Sequence, residues 1–496
     1  MIKKSKKLLI PIIFSFLLIG CNNTNSDNND VNPNPPIGGD IGDEEDNPIE
    51  NELTTLNDFF TYQDLDETMT YGGFTPSSGD IDILLVPVEF SDLSNFSDSE
   101  LKMIDETFNN ESPSYFESVS SYYYEASYGK LNLNFVMTDV YESSLTSSQF
   151  KRYEVNGNGT PILLDDMYNS LTIDGQRINY YEYDKDIDGY VDGVWMIYNN
   201  ANKEEVFVNS DYWAYTSYLG GEKDYNNPTF NTFANCSKYF LYQGNSSGYD
   251  AHTLIHETGH MLGLEDYYSY DVTYSASGGL MMMDLNIGDN DSFSKFSLGW
   301  VNPYLYNKQT KVTLKPFAST GECLIIPSGN SFYNNPFGEY LILEYYTPTN
   351  LNYFDSTSKY IDRPCLYSES GLIIYHIDAR LVEVRNNRAS FIHSDNIDFS
   401  KTYSFNDYIY TAYSNTHSYS EISSTNNLIE IVSATNINMY NSGFSNNDSL
   451  FKLNDSFDST SFTSFFRNDL FNDGSKVNIN FTITSLDESG ITLEFN

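Results

Sequence analysis

Three of the six histidines in this chain, His252, His256 and His260, stand four residues apart within nine positions. Four residues span about 6 Å of helix axis and return to the same face, so the imidazoles share a side only if this segment is an α-helix. Asp250 is placed to cap a helix running from Ala251 to about Leu262, and Gly263 to end it in a left-handed turn. The rest of the fold has to be built around that helix.

Within it, His256-Glu257-Thr258-Gly259-His260 is an H-E-x-x-H motif. Two imidazoles one turn apart can grip a single zinc ion. Glu257 follows the first imidazole closely enough to take a proton from a water at the metal without ligating it, the position of a general base. A catalytic zinc takes three protein ligands and keeps one position open. Gly263 lets the chain swing back so that Asp266 reaches the metal as the third ligand, with Glu265 as the fallback. No Glu occurs between Glu265 and Glu322, which argues against a ligand from a second helix. His252, one turn earlier, suits a supporting or surface role better than ligation.

A second polar constellation is Asp184-Lys-Asp186-Ile-Asp188-Gly189-Tyr-Val-Asp192. Alternate Asp side chains with Gly at the sixth place can converge on a hard cation, so Asp184, Asp186, Asp188 and Asp192 are candidate calcium ligands. The twelfth place is Trp195 instead of Glu, which excludes a complete EF-hand loop.

The N-terminus carries no fold information. Lys3, Lys4, Lys6 and Lys7 precede an apolar run from Leu8 to Ile19, too short for a permanent membrane span but suited to a signal peptide. The run ends in Leu18-Ile19-Gly20-Cys21, which looks like a bacterial lipobox with Cys21 as the lipidated residue. Residues 21–55, rich in Asn, Asp, Gly and Pro, read as a disordered acidic tether after a signal peptide of residues 1–20. The expected location is extracellular, held by lipid on the outer face of a bacterial membrane. A net charge of −43 disfavours nucleic acid and anionic membrane surfaces as partners. Cys236, Cys323 and Cys365 allow one disulfide at most and have no metal-binding spacing.

Patterning predicts an α+β chain. Buried strands are expected at Ile81–Phe90 and Val191–Asn199, a helix over Tyr115–Ser127, and an alternating strand through Leu131, Leu133 and Phe135. Beyond Thr310 the texture is β-rich, with short strands near Val312, Cys323–Ile326, Tyr340–Glu344 and Gly371–Ile377, and a final hairpin around Gly490. Residues 385–470 show no clear period. The division expected is a catalytic domain over 56–310 and a β-rich region over 311–496.

Taken together these segments resemble the immune inhibitor A family of secreted bacterial zinc metallopeptidases. HETGHMLGLEDYY, ILLVPVEFSD, YYYEASYGKLNL, YDKDIDGYVDGVWMIY, MMMDLN with FSKFSLGWVNP, EYLILEYY, GLIIYHID and FNDG read like family segments in order, over roughly residues 80–495. The resemblance implies a zinc endopeptidase acting on extracellular proteins or peptides. It implies a metzincin-like catalytic domain, structural calcium and an accompanying β-sandwich. His256, His260 and Asp266 would ligate zinc, and Glu257 would be the base. Metzincin-type peptidases set a Met-containing turn beneath the metal; here Met283 is the candidate and Met282 the alternative. Members are often made as zymogens, which would make residues 54–80 a shield over the cleft.

Overall fold

The computed structural model describes residues 53–69, 72–110, 116–202, 212–242, 249–270, 275–360, 363, 365–404, 407–422, 425–439 and 443–496. Cys21, the signal peptide and all of the tether up to residue 52 lie outside the described residues, as does Tyr115 at the start of one expected helix. Among the described residues no helix is long and apolar enough to cross a membrane.

The architecture is mixed α and β, as the patterning predicts. The first sheet orders its strands Leu131–Met137, Gly79–Glu89, Val194–Tyr198, Thr232–Ser237 and Tyr215–Tyr218. All neighbours are parallel except the last pair. Gly79–Glu89 and Val194–Tyr198 are central and covered on both faces, which is why they read as unbroken apolar runs. Leu131–Met137 lies at one edge and alternates buried with exposed residues over its first five positions. Helices Asp98–Asn109 and Val119–Ala126 make the crossover between the first two strands in sequence. Each starts from a serine, Ser97 or Ser118, whose hydroxyl accepts an N–H of the first turn.

The second half is built on a six-stranded sheet ordered Thr54–Thr55, Tyr304–Leu305, Cys323–Pro327, Glu339–Tyr346, Gly371–Asp378 and Ile429–Ile431. Every residue of Glu339–Tyr346 is buried, because the sheet is covered on both sides. Leu341, Leu343 and Tyr345 face a four-stranded sheet formed by Lys311–Leu314, Gly490–Phe495, Asn480–Asp487 and Ser456–Asp458. Tyr340, Ile342 and Tyr346 point the other way, into a core shared with Ile83, Trp195, Leu254 and Met283 of the first half. The β-rich region therefore packs against the first half through one continuous apolar cluster that crosses residue 310.

One local expectation needs correction, and two stretches gain detail. Ala251, not Asp250, is the N-cap of the helix His252–Met261, although the Asp250 carboxylate still accepts the His252 N–H at 3.0 Å. The stretch 385–470, which shows no clear period, contributes Arg388–Phe391 and Asp407–Thr411 to a three-stranded sheet on either side of Leu381–Arg385. Asn386 and Asn387 turn its hairpin in the left-handed region, with φ of 50° and 61°. Residues 54–80, the stretch that the resemblance would make a shield over the cleft, are packed against both halves of the chain. Thr54–Thr55 pairs with Tyr304–Leu305, Tyr62 is buried against Phe337, and Thr75 N–H donates to Met261 O at 2.9 Å. The three cysteines at 236, 323 and 365 are all free thiols.

Candidate metal centre

The helix His252–Met261 is held from several sides before any ion is considered. Tyr123 OH donates to Ile255 O at 2.6 Å, and Trp195 Nε1 donates to Thr258 Oγ1 at 3.0 Å. From the antiparallel edge strand, Thr216 Oγ1 donates to Glu257 O at 2.7 Å and Tyr218 OH to His260 O at 2.8 Å. Gly263 then turns the chain with φ 98°, a conformation natural to glycine; any Cβ there would strike the Phe74 ring. Leu264 N–H returns to Gly259 O at 3.1 Å, closing the helix end and aiming Asp266 back at the histidines.

The two imidazoles are oriented by carbonyls. His256 Nδ1 lies 2.9 Å from Met282 O and His260 Nδ1 lies 2.7 Å from Leu264 O. A carbonyl only accepts, so both Nδ1 atoms carry the proton and both Nε2 atoms are the ones left for a cation. Those Nε2 atoms converge on one oxygen, Asp266 Oδ1, at 2.9 Å from His256 and 3.3 Å from His260. The other oxygen, Oδ2, accepts Tyr270 OH at 2.5 Å, which leaves Oδ1 as the oxygen facing the imidazoles.

Three electron-rich atoms do not face one another without a cation between them, whether protons or a metal. The proton version is visible in the electrostatics. Burial opposes charge on His260, but Asp266 and Glu257 outweigh it and push the imidazole up to about 9. Burial likewise opposes charge on Asp266, yet the neighbouring imidazoles hold it well below the usual carboxylate range. The metal version fits as well. All three ligand atoms lie within 4.8 Å of one another. A tetrahedron with legs of about 2.0–2.1 Å has edges of roughly 3.3 Å, close to the separations seen.

Glu257 stands beside this centre, buried, with its carboxyl pKa raised chiefly by burial. Thr216 Oγ1 also donates to its Oε2 at 3.1 Å. Glu265 is removed as a fallback ligand: its carboxylate turns away and accepts Thr411 Oγ1 at 2.8 Å. His252 is no ligand either. It packs on Tyr360 with ring centroids 4.9 Å apart, its Nε2 is buried without a hydrogen-bond partner, and burial depresses it to about 3.

The methionine turn divides its work between two residues. Met283 presses its sulfur against Gly259 of the helix, where a Cβ would collide with it. Met282 contributes its backbone carbonyl to His256, while Met283 O accepts Tyr267 N–H at 2.8 Å and so ties down the Asp266 loop. Asp284 locks the turn by accepting Ser275 Oγ at 2.7 Å and Gly279 N–H at 2.8 Å. The sequence signals Met283 but not Met282 O, Leu264 O or Thr216, because a carbonyl has no residue-type signature and Thr216 is distant in sequence. Tyr270 carried a local signal, four residues after Asp266 in a tyrosine-rich run.

Elsewhere, Asp184, Asp186 and Asp188 bring carboxylate oxygens within 4.8 Å of one another. Asp192, expected as a fourth ligand, is not in that set and accepts the Lys185 N–H at 3.2 Å through both oxygens. Ile187 and Gly189, with φ of 60° and 92°, bend the loop around the three carboxylates. Burial and mutual repulsion push Asp186 up to about 7 and Asp192 up to about 8. Neither a scan of protein-family models nor a search of curated proteins finds a match to this chain.

Proposed function

We propose that the chain is a zinc-dependent endopeptidase with a metzincin-like catalytic unit, of the kind its segments resemble in the immune inhibitor A family. The observation that carries this reading is the convergence of His256 Nε2, His260 Nε2 and Asp266 Oδ1 on one point beside the buried Glu257. Zinc held there supplies Lewis acidity toward a scissile carbonyl and toward water. The remaining chemistry belongs to the chain. Glu257, its pKa raised by burial, accepts a proton from the attacking water and returns it to the departing amine. Thr216 holds the Glu257 carboxylate from the edge strand, and the Met282 and Leu264 carbonyls keep both imidazoles in the Nδ1–H tautomer. Calcium at Asp184, Asp186 and Asp188 would be structural.

The place of action follows from the N-terminal sequence: a lipid on Cys21 and an acidic tether hold the enzyme outside the cell, where extracellular proteins or peptides are its substrates. The test is cleavage of casein by zinc-loaded protein and by Glu257→Gln, with zinc measured on both. The expected result is about one zinc in each and a loss of turnover of at least about 100-fold in the variant. Undiminished cleavage by the variant would remove Glu257 from the mechanism. Zinc without cleavage in the wild type would favour a non-catalytic surface binding lipoprotein that retains the peptidase fold.

A further inference from the structure

A second polar site lies in the interior, away from the histidines and the Asp184 loop. Glu344 is an acid within the otherwise largely apolar, fully buried strand Glu339–Tyr346. Opposite it runs Asp289-Asn290-Asp291-Ser292. Between them is a cavity of about 20 Å³, whose polar lining is Asp289, Asn290, Asp291, Glu344 and Asn352 and whose remaining walls are aliphatic and aromatic, Leu280 and Met281 among them. That is room for about one water-sized guest.

Most polar atoms around this cavity are already used. Glu344 Oε2 accepts Ser292 N–H at 3.0 Å. Asp291 accepts Ser294 N–H at 3.0 Å and Ser294 Oγ at 2.6 Å. Asp289 accepts Lys295 Nζ at 2.7 Å and Asn290 N–H at 2.8 Å. Asn290 is the exception: it is 2% exposed, and neither its Oδ1 nor its Nδ2 has a hydrogen-bond partner. Ser292 Oγ is buried and unpartnered too. An unmet amide at such depth is costly unless something absent from the protein chain meets it.

Charge points the same way. Of the three carboxylates only Asp289 is ion-paired among the described residues, with Lys295 Nζ at 2.7 Å, which leaves two negative charges uncompensated when all are ionised. Burial, with Asp291 and Asp289 adding to it, pushes Glu344 up to about 8, and burial raises Asp289 and Asp291 as well. A proton on Glu344 answers one charge and leaves the Asn290 oxygen unmet. A divalent cation with oxygen ligands answers the charge and the Asn290 Oδ1, though not the Nδ2 donors. Magnesium keeps several waters, for which this cavity has no room, whereas calcium accepts irregular all-oxygen cages.

We propose that this cavity is a buried calcium site, distinct from the Asp184 loop, with Glu344 and Asn290 Oδ1 as its principal oxygen ligands. The ion would pin the segment before the helix Ser292–Ser297 to the central strand. Since Leu280 and Met281 close the same cavity, it would also brace the turn that carries Met282 and Met283 beneath the histidines. The proposal does not depend on the peptidase reading, because its test needs neither zinc nor substrate.

The test is the number of calcium ions bound per chain by zinc-free protein at saturating calcium, for wild type and Asn290→Leu. The variant is expected to bind one fewer, and the Asp184→Ala/Asp186→Ala variant to retain that ion. An unchanged count in Asn290→Leu overturns the proposal. Melting supplies a readout of opposite sign. In chelator, Asn290→Leu should melt above wild type, because it removes an unmet amide; in calcium it should melt below. A higher melting temperature in both conditions overturns the proposal and makes the cavity a water site. Should Asn290→Leu not fold, Glu344→Gln carries the same count with nearly unchanged shape.

Discussion

The histidine centre and the Asp184–Asp192 loop both gather ligand atoms around a point, but they spend those atoms differently. In the loop the carboxylates are largely met from within: Asp184 accepts the Asp188 and Gly189 N–H groups at 3.0 and 3.2 Å, and Asp188 accepts the Tyr190 N–H and Lys223 Nζ at 2.8 and 3.1 Å. At the histidines the carbonyls consume the Nδ1 protons, and the three remaining lone-pair atoms converge on one another. The loop is a turn that an ion would tighten. The centre is incomplete without a cation. Counting which lone pairs remain free separates the two better than counting acids does.

That contrast breaks most visibly under paired substitutions. Asp266→Ala should weaken zinc binding by at least ~100-fold and abolish cleavage, since loss of supporting partners alone costs about 10–100-fold. Asp186→Asn should leave zinc content and cleavage within about twofold of wild type. Zinc retained by Asp266→Ala, measured by titration against a competing chelator, would assign the third ligand elsewhere.

A smaller effect distinguishes the loop by pH. A carboxyl whose folded pKa is raised favours folding while protonated. That contribution is full below its unfolded value of about 3.9 and is lost as pH rises through the folded one. With Asp186 at about 7 and Asp192 at about 8, the ion-free protein should lose stability between roughly pH 4 and 8. Asp186→Asn should melt above wild type at pH 8 in chelator, with the gap closing at pH 5 or with calcium present. A gap that is the same at both pH values would mean that burial and the neighbouring carboxylates do not raise the Asp186 carboxyl.

The helix, the left-handed turn at Gly263 and the return of Asp266 were legible because each rests on a short-range rule: imidazole spacing, glycine at positive φ, and a three-residue reach. The apolar strands Gly79–Glu89, Val194–Tyr198 and Gly371–Asp378 were legible for the same reason, being runs long enough to show their burial. What sequence did not show depends on contacts remote in the chain or on the main chain. Met282 O differs from any other carbonyl only by where the turn places it. Glu344 reads as an ordinary polar interruption of EYLILEYY until Asp289 and Asn290 are seen opposite. The packing of segment 54–80 was not legible because its partners, near residues 304 and 337, lie far along the sequence. The Asn386-Asn387 hairpin carried a usable local signal that was obscured by the Ser/Asn-rich stretch around it.

The smallest expected effect concerns how firmly the methionine turn sets the helix. Alanine is favoured over glycine inside a helix by about 1 kcal/mol. At position 259, however, a Cβ meets the Met283 sulfur and comes within 3.1 Å of Tyr123 OH. Overpacking of this kind costs about 1–3 kcal/mol, so Gly259→Ala should be net destabilising by up to about 2 kcal/mol in denaturant melts. A stabilised variant would mean that the turn does not press on the helix.

The most direct test of the account is anomalous diffraction at the zinc edge from crystals of the zinc-loaded protein. One strong peak is expected, bounded by His256 Nε2, His260 Nε2 and Asp266 Oδ1, each about 2.0–2.2 Å away, and none at the Asp184 loop or the Glu344 cavity. A peak elsewhere, or none at the histidines after zinc loading, would contradict it.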